Sequence, residues 1–223
     1  MHFNEYDYNY KNYLGGMMMK KLYLMRHGET LFNQLGKIQG ACDSPLTEIE
    51  IKQAEVAKEW FKTQTITLDA YYSSTQERAS DTLEIVIGDK KYERMKQLKE
   101  WNFGIFEGER DYLNPKRPAG ETSYGDAFVP YGGESSKSVQ ERMNNGLTEI
   151  MEKENNHNVL VVSHGGSMYL FIQKWVPYEK VSKIRFTNCC ILEFGYENNS
   201  FVFLQAINHD FSDLVEKKGV SKT

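Results

Sequence analysis

The sequence predicts a three-layer α/β/α fold around a mostly parallel central sheet, with a lid insertion, and three observations carry that prediction. Apolar strand-like runs alternate with helical patterns along most of the chain, the order that builds a parallel sheet covered on both faces. Two of these runs, Leu22-Tyr23-Leu24-Met25 and Val159-Leu160-Val161-Val162, are almost continuously apolar, as strands buried on both faces are. Each is soon followed by a histidine and a glycine, His27-Gly28 and His164-Gly165, which puts both imidazoles at the carboxyl edge of the sheet, where such folds hold ligands.

Taken in order, residues 1–19 are rich in tyrosine and asparagine and lack the apolar stretch of a secretory signal, so they are expected to form a flexible N-terminal extension to a domain spanning 20–210. The strand ending at Arg26-His27 leads into a polar loop over Leu31 to Gln39, which carries Asn33. Thr47-Glu48-Ile49-Glu50 has the threonine-x-x-glutamate spacing of a capping box and opens a helix to about Phe61, with Ala54, Ala57, Trp60 and Phe61 facing inward. Tyr71 to Ser74 is a strand, and Ser74-Thr75-Gln76-Glu77 is a second capping-box pattern starting a helix near Gln76 that runs through Val86. Arg78 falls in its first turn, where alone it reads as an ordinary surface residue.

From about 100 to 135 the periodicity is lost and glycine, proline and aromatic residues gather, the composition of a binding loop or lid. Val139, Met143, Leu147 and Ile150 mark an amphipathic helix ending near Glu154, and Gly166 to Trp175 a buried one. Cys189 to Phe194 and Phe201 to Ala206 read as strands joined by a turn over Gly195 to Ser200, before a weakly held tail at 211–223. Glu107, Glu109 and Glu121 are expected to be solvated, His157 to be a turn residue, and His209 to stand outside any site.

Composition excludes several function classes. A net charge of -4 opposes a nucleic-acid binder, whose phosphate grip needs a basic surface. No window approaches the roughly 20 apolar residues of a membrane span. The three cysteines, Cys42, Cys189 and Cys190, have no metal-ligand spacing, which suggests reduced thiols in a cytoplasmic chain. No metal site and no cofactor is expected.

What remains is a local positive pocket. Arg26 brings a permanent charge on a planar fork of donors, Gly28 lets a ligand approach closely, and His27 offers a ring nitrogen that is largely unprotonated near neutral pH. Together they suit a tetrahedral anion beside a nucleophile. A lone Arg-His-Gly reads more readily as a structural histidine; the second His-Gly and Arg78 at a third strand end change that balance.

In their order the motifs resemble the histidine phosphatase superfamily, the phosphoglycerate mutase-like group, over about Lys20 to Gln205. They comprise Arg26-His27-Gly28-Glu29-Thr30 with Asn33, Gln39-Gly40, Ser44-Pro45-Leu46-Thr47, and Ser73-Ser74 before Arg78. Leu98-Lys99-Glu100 follows, leading to Phe103-Gly104 and Glu107-Gly108, then Gly133-Glu134-Ser135 and Ser163-His164-Gly165. The sequence departs at Glu50, where many members carry glycine; the capping box offers a local reason.

The resemblance implies phosphoryl transfer through a phosphohistidine on His27, with Arg26, Asn33, Arg78, His164 and Gly165 binding the phosphate and Glu100 donating a proton. The short Phe103 to Gly108 passage is more similar to the phosphatase branch. A mutase stays open, since Arg110, Lys116 and Arg117 are available to a carboxylate, as does an inert binding module. The implied partner is a small phosphorylated substrate, with no nucleic acid and no membrane, and a homodimer is left open.

Overall fold

A computed structural model of the chain describes residues 13–14 and 17–215. A short antiparallel pair, β1 (Tyr13–Leu14) and β2 (Met17–Met18), precedes the domain. The rest of the expected extension, and the tail beyond residue 215, lie outside the described residues. In chain order follow β3 (Lys20–Arg26), α1 (Leu31–Gln34), α2 (Glu48–Thr63), β4 (Ala70–Ser74), α3 (Glu77–Ile87) and β5 (Glu93–Met95). After a run of single 3-10 turns come α4 (Ser136–Glu152), β6 (Asn158–Ser163), α5 (Gly165–Trp175), α6 (Tyr178–Val181), β7 (Ile191–Glu197), β8 (Ser200–Ile207) and α7 (Ser212–Val215).

The sheet runs β5-β4-β6-β3-β7-β8. The first four strands are mutually parallel; β7 and β8 are antiparallel additions on the far side of β3. Because strand side chains alternate between faces, β3 feeds two cores. Leu22 and Leu24 pack with Val159, Val161, Leu192 and Phe194 against Met143, Leu147 and Ile150 of α4 and Phe171 of α5. Tyr23 and Met25 pack with Leu160, Val162 and Ile191 against Ala54, Ala57 and Phe61 of α2 and Ala79, Leu83 and Val86 of α3. A fully buried Leu or Val contributes about 1.5–3 kcal/mol, so the β3–β6 pair forms a rigid floor under the motif residues at its end. The three-layer, mostly parallel architecture of the sequence reading is therefore present.

Local expectations needed correction where tertiary partners outcompeted neighbours. Leu31 to Gln39 is not loop throughout: Thr30 caps α1, and Asn33 answers with its side chain to the Thr30 backbone. Neither predicted capping box closes. Thr47 Oγ1 accepts from Glu50 N at 3.3 Å, but the Glu50 side chain turns into the interior, and Thr47 N donates to Glu29 O instead. At α3 the cap residue Gln76 makes no side-chain cap bond, and the carboxylate of Asp43, from another loop, accepts from Glu77 N at 2.6 Å. The β7–β8 turn is only Asn198-Asn199, both left-handed (φ 49° and 58°), the twist a two-residue hairpin requires. Gly195, Tyr196 and Glu197 therefore belong to β7. β5 and α6, too short to show a period, were not foreseen.

The 100–135 stretch is organised by rings. Phe128 is fully buried and stacks edge-on with Trp101, Phe103 and Phe106, at centroid distances of 5.6, 4.9 and 5.8 Å. Among the described residues no helix is long and apolar enough to cross a membrane.

Candidate active site

The strand order β4-β6-β3 sets three carboxyl ends side by side, and the motif residues follow from it. Arg26 pairs in register with Ser163, so His27 and His164 leave adjacent strands at the same level. His27 N donates to Ser163 O (2.9 Å), and Cys189 N donates to His27 O (3.4 Å), which holds the backbone from both sides. The two imidazole rings lie 5.1 Å apart, centre to centre, and both are buried.

Ring orientation follows from hydrogen bonds. His27 Nδ1 is 2.6 Å from Gly28 O, an acceptor only, so Nδ1 carries the hydrogen and Nε2 keeps a free lone pair. Burial, then the charges of Arg78 and Arg26, hold its pKa well below the ordinary histidine value, so the ring is neutral at pH 7. His164 Nε2 sits 2.7 Å from Ser74 Oγ, while its Nδ1 is buried without a protein partner. With Ser74 donating to Nε2, the hydrogen moves to Nδ1 and serves as a donor to an anion. His164 is likewise held low, first by burial and then by Arg78 and the neighbouring His27.

Both guanidinium groups are half committed. Arg26 Nη1 donates to Phe186 O at 2.5 Å, and Gly165 lets the guanidinium lie close, since a Cβ there would sit 3.2 Å from Arg26 Nε. Arg78, only 1% exposed, donates to Cys42 O (2.8 Å), Asp43 Oδ1 (2.8 Å) and Gly40 O (2.9 Å). In both arginines the buried Nε–H has no protein partner. Two such N–H groups, and His164 Nδ1 in the tautomer that donation by Ser74 would set, are without protein partners, and they belong to the residues whose rings or charges act on His27. That arrangement can bind a phosphoryl group and stabilise charge on its oxygens.

The other two expected residues are placed differently. Asn33 Oδ1 accepts from Thr30 N and Thr30 Oγ1, both at 3.1 Å, so its carbonyl oxygen serves as a helix cap. Glu100 Oε1 accepts from Trp101 N and Ser167 N (2.8 Å each), and Oε2 accepts from Gly166 N at 3.0 Å. Its carboxylate thus sits at the amino end of α5, next to the site rather than free within it.

Several supporting residues escaped the sequence reading. Asp43 both caps α3 and pairs with Arg78. Ser74 aligns His164. Arg142 grips both carboxylate oxygens of Glu134 and donates to Gln97 O, Lys99 O and Glu100 O, which fixes the backbone at Glu100. Glu107, expected in solvent, instead accepts from Ala41 N (2.7 Å), Cys42 N (2.9 Å) and Phe103 N (3.0 Å). It ties the loop beneath Arg78 to the aromatic stretch, and it fills the space beside Gly40, whose φ of 60° and lack of Cβ the contact needs. Only the Glu107-Gly108 motif hinted at this.

Beside Gly165 and Gly166 opens a cavity of about 310 Å³ walled by Trp101, Phe103, Tyr124, Tyr169 and Phe186, with Arg117 its single charged lining residue. Among the described residues no group of three or more His, Cys, Asp or Glu side chains is arranged to hold a metal ion. All three cysteines are free thiols.

The sequence and the fold resemble those of known proteins. Residues 22–209 match the sequence profile described as histidine phosphatase superfamily (branch 1). A probable phosphoglycerate mutase, GpmB, of Yersinia pestis is 31% identical over 193 residues, covering 82% of this chain and 88% of that protein. The crystal structure of a phosphoserine phosphatase variant from Entamoeba histolytica, in complex with phosphoserine, superposes with a TM-score of 0.71 at 30% identity, covering 83% of this chain and 95% of that one. A phosphoglycerate mutase from Bacillus anthracis gives a TM-score of 0.71 at 27% identity, over 83% and 92%. With its strand-end histidines and arginines, and a match across most of its length, the chain belongs to the histidine phosphatase superfamily, as an enzyme of the phosphoglycerate mutase-like group.

Proposed function

We propose that the protein hydrolyses small phosphomonoesters through a phosphohistidine formed at Nε2 of His27, without a metal ion. The observation that carries this reading is the His27 Nδ1 to Gly28 O bond, which leaves Nε2 unprotonated, together with the unpaired donors of Arg26, Arg78 and His164. In the first step the Nε2 lone pair forms a bond to phosphorus while the ester P–O bond breaks. The leaving oxygen takes a proton from Glu100. In the second step water attacks phosphorus, its proton passes to the Glu100 carboxylate, and the P–N bond breaks to release phosphate. Arg26, Arg78 and His164 stabilise the charge spread over the equatorial oxygens, with the Asn33 amide group assisting and Gly165 leaving room for the approach.

Glu100 needs to exchange its amide bonds at α5 for contact with the ester oxygen, a change that closure of 100–135 as a lid would accompany. The cavity beside Gly165 and Gly166 would take the leaving group. Its aromatic wall favours an ester with an apolar or ring-bearing portion, and its volume suits a small metabolite. The same wall supports hydrolysis over mutase chemistry, since a carboxylate-bearing phosphoester would meet Arg117 alone there. Arg110, a second expected carboxylate partner, donates instead to Leu35 O. Free thiols suit a reducing compartment, and we place the enzyme's work in the cytoplasm.

The test is incubation with a panel of phosphorylated metabolites and 4-nitrophenyl phosphate, reading phosphate release and isomerised product together. Acid-quenched enzyme should carry phosphate on His27, and His27→Ala should lose about 10³-fold or more in turnover while still folding. Isomerised product without phosphate release would replace the hydrolase reading with the mutase one. Full activity in His27→Ala would end both.

A further inference from the structure

We propose that Glu50 is a positioning residue, a buried neutral acid whose proton completes the hydrogen-bond chain joining the Gly28 turn beside His27 to the α3 turn carrying Arg78. The proposal rests on the catalytic reading above. Glu50 stands in the first turn of α2 and is 0% exposed. Its carboxyl lies against Gly28, where a Cβ would come within 1.9 Å of Oε1. The missing side chain at 28 is the space the acid occupies.

Counting hydrogens gives the charge state. Thr82 Oγ1 lies 3.2 Å from Gly28 N, 2.7 Å from Glu50 Oε1 and 2.6 Å from Arg78 O. Gly28 N can only donate, so the hydroxyl oxygen accepts from it. One hydroxyl hydrogen remains for two neighbours. With an ionised Glu50 both are acceptors and one close contact has no hydrogen. With a neutral Glu50, Oε1–H donates to Thr82 Oγ1, Thr82 donates to Arg78 O, and every short contact holds one hydrogen.

The surroundings agree. Glu50 Oε2 is buried without a protein partner, a position far costlier for a carboxylate oxygen than for a carbonyl. Among the described residues no basic side chain ion-pairs with Glu50. The ionisable groups that act on it or feel it are Glu29 on the loop after β3, Asp81 on α3, and Cys189 ahead of β7, none of them cationic. The Arg78 guanidinium, on the same turn as Thr82, is turned to Gly40, Cys42 and Asp43. Burial raises the Glu50 carboxyl to about 8, outweighing hydrogen bonding to Thr82 and the Gly28 backbone, which acts in the opposite direction. Above that pH the ionised acid takes the Thr82 hydrogen, releases Arg78 O, and puts a negative charge under the nucleophile loop.

The experiment compares wild type with Glu50→Gln, whose amide still donates to Thr82 but does not titrate. In kcat/KM for 4-nitrophenyl phosphate from about pH 5.5 to 9.5, the wild type should fall roughly tenfold per pH unit above about 8. Glu50→Gln should lose that alkaline limb, and Glu50→Ala should lower kcat in a way that Gln restores. An identical alkaline limb in wild type and Glu50→Gln would overturn the proposal. Melting temperature provides a second reading that needs no turnover. A folded-state pKa above the unfolded one makes the wild type lose stability relative to Glu50→Gln as pH rises from about 4.5 to about 8, and level off beyond. A difference constant with pH would also overturn it. If no phosphomonoester is turned over, the melting curves still decide the protonation of Glu50; turnover combined with a pH-independent difference sinks the Glu50 proposal and leaves the hydrolase intact.

Discussion

Arg78 shows how one side chain serves both fold and chemistry. Its terminal nitrogens hold the 40–43 loop, and its buried Nε–H has no protein partner. Arg78→Ala removes both functions, and the magnitudes separate them. Loss of a transition-state donor should lower kcat/KM about 10²- to 10³-fold. Breaking the pair with Asp43 should cost about 3 kcal/mol, the low end for a buried pair because the Asp43 side chain is 26% exposed. Arg78→Lys keeps a charge but loses the fork, so it should recover stability better than activity. Urea unfolding beside kinetics per folded molecule measures the two; unchanged activity per folded molecule would reduce Arg78 to a structural residue. Taken alone in the sequence Arg78 reads as a surface residue of a helix; the motif order marks it as a phosphate ligand, and the fold adds its hold on Gly40, Cys42 and Asp43.

At the scale of elements, the site is assembled from loops clamped to one another by carboxylates. Asp43 caps α3, Glu107 collects three amides from two segments, and Glu134 holds Arg142 against the backbone around Glu100. Arg142 and the Asn102 amide hold the Glu134 carboxyl below its ordinary range, although burial of the group works in the opposite direction. Glu107→Ala leaves three N–H groups without their acceptor and frees Gly40 from its wall. The expected outcome is a loss of about 2–3 kcal/mol in stability, because part of each bond is replaced by water, together with a raised KM. Denaturant melts and KM measurements test this; a variant with wild-type stability would show the clamp to be incidental. Periodicity distinguishes none of these carboxylates from a solvated one, since their partners are backbone amides and arginines that only the fold brings to them.

For the whole molecule, burying two neutral histidines links stability to acid. Both folded-state pKa values are depressed, first by burial, whereas in the unfolded chain each imidazole titrates near its ordinary value. The unfolded state therefore binds more protons below about pH 6.5, and stability falls there by about 1.4 kcal/mol per pH unit for each histidine until its folded pKa is reached. The same depression keeps His27 nucleophilic as pH falls from 7 to 6. Melting curves from pH 7.5 to 5 should slope downward on the acid side, and His164→Gln should reduce that slope. Equal slopes in both proteins would contradict the assignment. The cost is borne by the β3–β6 floor and the two cores beneath it, which make the burial of two imidazoles tolerable.

The sequence by itself determined the layered fold, the long helices, the principal strands, and the presence of Arg26, His27 and His164 at strand ends and of Arg78 in the helix turn just after one. Those features are written in hydrophobic period and in residues next to the strands they follow, so neighbours along the chain are enough to read them. The tertiary structure alone decided the ring tautomer of His27, the clamps at Asp43, Glu107 and Glu134, and the inward turn of Glu50. Hydrogen-bond partners separated by tens of residues compete with local caps for the same polar groups, and that competition is settled only when the sheet has brought them together.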